Sequence, residues 1–153
     1  EKVRFAGGCL CGSLRYEYEG APGSMAHCHC SQCRRAHGSA FSTILSVSGA
    51  GFGWSAEDNL TYFESFPGKR RWFCATCGSP VPPADPAEDW FEIPAGLFDD
   101  DPGIKPDKHI FVELIAPWEE IHDSLPQLTI RELVRQRLGR ELPDDYRLRT
   151  HYG

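Results

Sequence analysis

Seven cysteines, grouped as a pair, a triple and a second pair, constrain this chain more than any other feature. Cys28-His29-Cys30-Ser31-Gln32-Cys33 places three thiols within six residues, close enough to converge on one metal ion without help from the rest of the fold. Cys9 and Cys11 lie near the start, and Cys74 and Cys77 near the middle. Cysteines two apart point to the same side of an extended chain, and Gly7, Gly8 and Gly12 permit the tight backbone that a metal loop needs. Seven divides naturally into four plus three. The spacing predicts a closed site joining Cys9 and Cys11 to Cys74 and Cys77, and a separate site of Cys28, Cys30 and Cys33. A structural zinc is usually closed by four ligands, whereas three protein ligands leave a position open for water or substrate.

The remaining bounds fit this division. An odd cysteine count would strand a thiol in a secreted protein, and Cys-x-Cys and Cys-x-x-Cys pairs suit a metal better than strained disulfides between neighbours. A reducing, cytoplasmic setting is therefore expected. With 153 residues the chain can bury a core without covalent staples, and no apolar run is long enough to cross a bilayer. The net charge is −6, unevenly placed: residues 84–124 carry two basic against twelve acidic side chains, while the cysteine-bearing part is mildly basic. That balance gives no electrostatic footprint for nucleic acid. The acidic stretch reads as a solvated surface.

Along the chain, Leu14, Tyr16 and Tyr18 alternate with polar residues and predict a half-buried strand over 13–19. Residues 34–38 read as a short helical turn ended by Gly38. Strands are expected over 40–47, 60–66, 90–97 and 109–115, with loops over 49–59 and 99–107. From Thr129 the period changes: Ile130, Leu133, Val134 and Leu138 fall at helical spacing, and Gly139 is a natural stop. The polar side of this helix carries Arg131, Arg135 and Arg137, and a helix packed on the core or on a partner subunit is expected rather than a nucleic-acid role. The fold class is mainly β, with residues 1–128 as a zinc-binding domain and 129–153 as a C-terminal helical extension.

A four-thiolate site would clamp two segments far apart in the chain, and such closure contributes on the order of 10 kcal/mol of folding free energy. Three outcomes compete for the triple. His27, His29 or another group closes a second structural site; the site is open and catalytic; or the thiols are free and redox-active. An open zinc with three thiolate ligands is a weak Lewis acid suited to a soft fourth ligand such as an incoming thiolate. Its chemistry would be addition of a thiol to a small electrophile, or the reverse.

Gly8-Cys9-Leu10-Cys11-Gly12, Cys28-His29-Cys30-Ser31-Gln32-Cys33-Arg34, Phe73-Cys74-Ala75-Thr76-Cys77-Gly78-Ser79, His109-Ile110-Phe111-Val112 and Pro117-Trp118 together resemble the glutathione-dependent formaldehyde-activating enzyme family, which includes centromere protein V-like domains. The likeness spans about residues 5–127 and covers all seven cysteines. It implies antiparallel β-sheets in the β-tent (Mss4-like) arrangement around zinc. It also implies that Cys9, Cys11, Cys74 and Cys77 hold the structural zinc, and that Cys28, Cys30 and Cys33 hold the catalytic one, which can be partly occupied. The reaction implied is that of a carbon–sulfur lyase: glutathione condenses with formaldehyde to S-hydroxymethylglutathione. Fold and metals carry over better than substrate.

The expected partner is a small glutathione-like thiol, with neither nucleic acid nor membrane, and a homo-oligomer is compatible with the sequence. The opposing class is a non-catalytic zinc module that binds a protein. Arg34, Arg35, Lys69, Arg70 and Arg71 are candidates for the two carboxylates of glutathione, each weighed against plain surface charge. His29 points away from its flanking cysteines in an extended chain and is not expected to be a ligand. His37 reads as a surface group, and His109 as the start of a strand. Trp54, Trp72, Trp90 and Trp118 are expected in the core.

Overall fold

The computed structural model describes residues 1–86 and 89–146. In chain order the elements are β1 (Val3–Gly8), β2 (Arg15–Gly20), β3 (Ser24–Cys28), α1 (Ser31–His37), β4 (Ser42–Val47), β5 (Phe52–Ala56), β6 (Leu60–Phe66), β7 (Lys69–Cys74), β8 (Phe91–Pro94), β9 (Pro106–Ile110), β10 (Gln127–Leu128) and α2 (Ile130–Leu138). The fold is mainly β, as the sequence predicts. Two compact units interleave in sequence: residues 1–25 with 43–105, and residues 26–42 with 106–146, among the described residues.

The first unit is built on β2. Its alternation holds: Leu14, Tyr16 and Tyr18 are at most 1% exposed, while Glu17 and Glu19 face outward. β2 pairs antiparallel with β1 on one side and with β5 on the other. Phe5 stacks on Tyr18 at 5.0 Å, Tyr16 stacks on Phe52 at 5.2 Å, and Phe52 meets Phe91 at 4.5 Å. These rings, with Met25, Leu45, Val47 and Ile93, form the main core. Stacked and edge-on pairs of this kind add to simple area burial. β4 pairs antiparallel with β8, and β6 with β7 as a hairpin. A smaller cluster gathers Cys9, Leu14, Cys74 and Val81.

The second unit holds α1, β9, β10 and α2. β9 and β10 pair in parallel over two residues. α2 starts at a complete capping box: the Thr129 hydroxyl accepts from the Glu132 amide at 3.2 Å, and the Glu132 carboxylate accepts from the Thr129 amide at 2.8 Å. Thr129→Ala is expected to cost about 1 kcal/mol in urea denaturation; an unchanged midpoint would show that the cap is idle. Leu133 is buried, but Leu138, expected on the apolar stripe, is exposed. The arginines of the polar face hold the following segment. Arg131 donates to the carbonyls of Leu142 and Pro143, and Arg135 makes a two-pronged contact with Glu141.

Several expectations need correction. The strand expected over 109–115 instead runs from Pro106 to Ile110, because Phe111 takes a left-handed backbone (φ 57°) and Val112–Leu114 close a 3-10 turn. The loop expected over 49–59 contains β5, which pairs with β2. The strand expected over 90–97 stops at Pro94, where Ala95–Leu97 turn into a 3-10 helix. α1 begins at Ser31, three residues before the expected turn. Trp54 and Trp72 pack half-buried against the cores, whereas Trp90 and Trp118 are 55% and 69% exposed. Of the expected extension 129–153, residues beyond 146 lie outside the described ones.

Candidate metal centres

Two turns of similar construction present the four cysteines of the first unit. After β1, the Cys9 amide donates to the Leu14 carbonyl at 3.1 Å and the Gly12 amide to the Cys9 carbonyl at 3.1 Å. The Leu14 amide reaches the Cys9 sulfur at 3.3 Å. At the end of β7, the Gly78 amide donates to the Cys74 carbonyl at 2.8 Å, and the Cys77 amide approaches the Cys74 sulfur at 3.5 Å. Gly12 (φ 82°) and Gly78 (φ 80°) occupy left-handed backbone that a side chain would strain. The Leu10 amide donates to the Ser79 hydroxyl at 2.9 Å and ties one turn to the other.

The four sulfurs lie within 4.8 Å of one another. Cys9 and Cys11 are 3.6 Å apart, and Cys11 and Cys74 are 3.8 Å apart. A disulfide needs about 2.05 Å, and all seven cysteines are free. A tetrahedral zinc with bonds of about 2.3 Å sets its sulfurs roughly 3.8 Å apart, so the spacing is that of a metal cage. The Ser79 hydroxyl, and after it the Ser79 amide, hold the Cys77 thiol down to about 5. Amides and hydroxyls aimed at sulfur favour the thiolate that a metal takes.

Cys28, Cys30 and Cys33 form the second cluster, also within 4.8 Å. Cys28 closes β3. Cys30 is the N-cap of α1, its sulfur accepting from the Cys33 amide at 3.2 Å. Cys33 sits in the first turn of that helix, which explains how a spacing of three brings its thiol back to Cys30. Cys28 is 6% exposed and Cys33 9%. The neighbouring thiols of Cys30 and Cys33, and then burial, push the Cys28 thiol far up. Three thiols packed this closely resist ionising together, and a bound cation removes that resistance. Among the described residues no histidine or carboxylate joins this cluster.

His29, between two members of the triple, turns its ring away from them, as an extended chain requires. It is fully buried, and its Nε2 lies 2.8 Å from Nδ1 of His109. His109 Nε2 in turn faces both carboxylate oxygens of Asp123, at 3.1 and 3.0 Å. Burial, and then the neighbouring His109, push His29 down to about 4, so its ring is neutral near pH 7. The His109 hydrogen bond, then the Leu125 amide, hold the Asp123 carboxyl below the usual carboxylate range. His109 therefore does more than open a strand: it lies within β9 and links two other side chains. The sequence gives little signal for this grouping, since His109 is 80 residues from His29 and 14 from Asp123.

The charged candidates separate. Lys69 pairs with Glu92 at 3.8 Å, and the Arg70 guanidinium lies 4.2 Å over the Tyr62 ring. Arg34 is one helical turn past Cys30, its amide donating to the Cys30 carbonyl at 3.0 Å. The Arg34 Nε is buried without a hydrogen-bond partner. Arg35 is exposed.

Fold and clusters define a small, mainly β protein with two cysteine groups of metal-binding geometry, one of four thiols and one of three. A sequence model of the glutathione-dependent formaldehyde-activating enzyme family matches residues 4–114, a stretch that contains all seven cysteines, and the chain belongs to that family. The match ends at Leu114, short of the 127 suggested by the resemblance. The crystal structure of a Rhodobacter sphaeroides protein is similar at 22% identity, covering 80% of this chain and 98% of that one, with a TM-score of 0.47. No curated protein matches the chain. Among the described residues no helix is long and apolar enough to cross a membrane.

Proposed function

We propose that this protein is a zinc-dependent carbon–sulfur lyase acting on the adduct of a glutathione-like thiol with a small aldehyde such as formaldehyde. The observation that carries this reading is the three-cysteine cluster, complete at three among the described residues, in a chain of this family. Cys9, Cys11, Cys74 and Cys77 would hold a structural zinc, and Cys28, Cys30 and Cys33 the catalytic one. Bound there, zinc would supply a coordination position that keeps a thiol deprotonated near neutral pH.

The residues around the triple have separate tasks. α1, capped by Cys30, sets Cys33 against Cys30 and fixes the spacing of the site. Arg34, next to Cys33 in α1, is the residue proposed to hold a carboxylate of the thiol substrate. In the condensation, sulfur forms a bond to the aldehyde carbon, the carbonyl π bond becomes a C–O single bond, and the thiol proton ends on that oxygen. The lyase direction reverses each change. Residues 1–128 would form the zinc-binding domain, β10 ending at Leu128 just before the cap of α2. Seven reduced thiols suit the cytoplasm.

The test is exchange NMR of isotopically labelled formaldehyde with glutathione. Catalysis should raise the interconversion rate above the uncatalysed rate in proportion to protein. An unchanged rate would refute the activity. The contrary reading, a protein-binding zinc module, draws on the exposed Phe63 of β6, 66% accessible. It predicts that both metals are indifferent to thiols.

A further inference from the structure

We infer that Asp123 and His109 are positioning residues for the three-cysteine site, acting through His29. The inference rests on the reading of the triple as a metal site and adds to it the device that holds the thiolates in place.

The argument starts from residue 29. Its neighbours on both sides, Cys28 and Cys30, project their sulfurs to one side, so any rotation of this stretch moves two thiolates together. Residue 29 is held twice from β9. Its amide donates to the Ile110 carbonyl at 3.0 Å, and its ring meets His109 at 2.8 Å. His109 is itself held from both ends: its amide donates to the Pro126 carbonyl at 2.8 Å, and its ring faces Asp123. Asp123 also accepts from the Leu125 amide at 3.0 Å, which fixes its carboxylate.

A carboxylate only accepts, so His109 Nε2 is the donor to Asp123. His109 Nδ1 and His29 Nε2 then share the next hydrogen bond of the row at 2.8 Å. The row Asp123, His109, His29 thus holds one ring orientation of His29. Phe41, 5.1 Å from the His29 ring and 4.5 Å from the His27 ring, packs beside it. Partners that orient metal ligands from behind are worth roughly 10- to 100-fold in metal affinity. Here the orientation passes through the backbone between two ligands rather than through a ligating ring.

The experiment loads the full chain with cadmium-113 and follows its NMR resonances during chelator titration, for the unmodified protein, Asp123→Ala, Asp123→Asn and His109→Ala. Asp123 is half-exposed, so its variants should fold, and the four-cysteine resonance reports on that directly. The expected result is two resonances in the unmodified protein. In Asp123→Ala and His109→Ala, the three-cysteine resonance alone should shift or broaden, with affinity there reduced roughly 10- to 100-fold. Asp123→Asn keeps an acceptor oxygen and should recover most of that loss. Imidazole nitrogen-15 spectra should show a single His29 ring environment in the unmodified protein and a shifted or broadened one in Asp123→Ala. Two resonances whose affinities are indifferent to Asp123→Ala would overturn this inference alone. A single four-cysteine resonance in the unmodified protein would overturn the metal reading of the triple, and this inference with it.

Discussion

Replacing Cys30 with serine is expected to bring formaldehyde–glutathione interconversion down to the uncatalysed rate, a loss of at least about 100-fold, which is already the upper range for disturbing a ligand's supporting partners. Serine is a good test because it separates two roles of one residue. The Cys30 sulfur caps α1 by accepting from the Cys33 amide, and a serine hydroxyl is among the best helix caps. The cap therefore survives while the thiolate is lost. Far-ultraviolet circular dichroism and the melting temperature should stay near those of the unmodified protein. Collapse of the fold would show that the triple is structural, and full activity would remove Cys30 from the catalytic site.

Cys77→Ser should do the opposite. The four-cysteine cage joins the turn after β1 to the turn after β7, more than 60 residues apart in sequence. Without a metal, that closure rests on the Leu10–Ser79 hydrogen bond and the small cluster around Leu14 and Val81. A structural zinc of this kind is worth on the order of 10 kcal/mol. Losing one ligand should forfeit several kcal/mol of that, lowering the melting temperature by on the order of 10 °C for a domain of this size. Differential scanning fluorimetry reads the shift, and chelator treatment of the unmodified protein should reproduce it. Unchanged melting in Cys77→Ser would refute the clamp.

The contrast between these variants follows from what the sequence makes legible. The cysteine groups could be assigned because ligand spacing is a local property, and the structure brings together the same four and the same three. β2 was legible from Leu14, Tyr16 and Tyr18, since a strand with one buried face must alternate. α2 was legible from the helical spacing of Ile130, Leu133, Val134 and Leu138 and from the stop at Gly139. β5 was hidden by its glycines; what makes it a strand is the pairing of Phe52 and Trp54 with Tyr18 and Tyr16, a tertiary effect. β9 shows the reverse failure. His109 to Ile115 are good strand formers, yet the chain turns at Phe111, because β propensity yields to context. The row from Asp123 to His29 was illegible for a third reason: it joins three segments through side chains, and nothing local in any of them announces the others.

The most direct test of the two-site account is native mass spectrometry of the purified protein, counting zinc before and after a mild chelator, and again with glutathione added. The account predicts two zinc ions, one stripped readily and protected or altered by glutathione, the other retained. One or two tightly held ions, indifferent to thiol, would contradict it and place the protein among non-catalytic zinc modules.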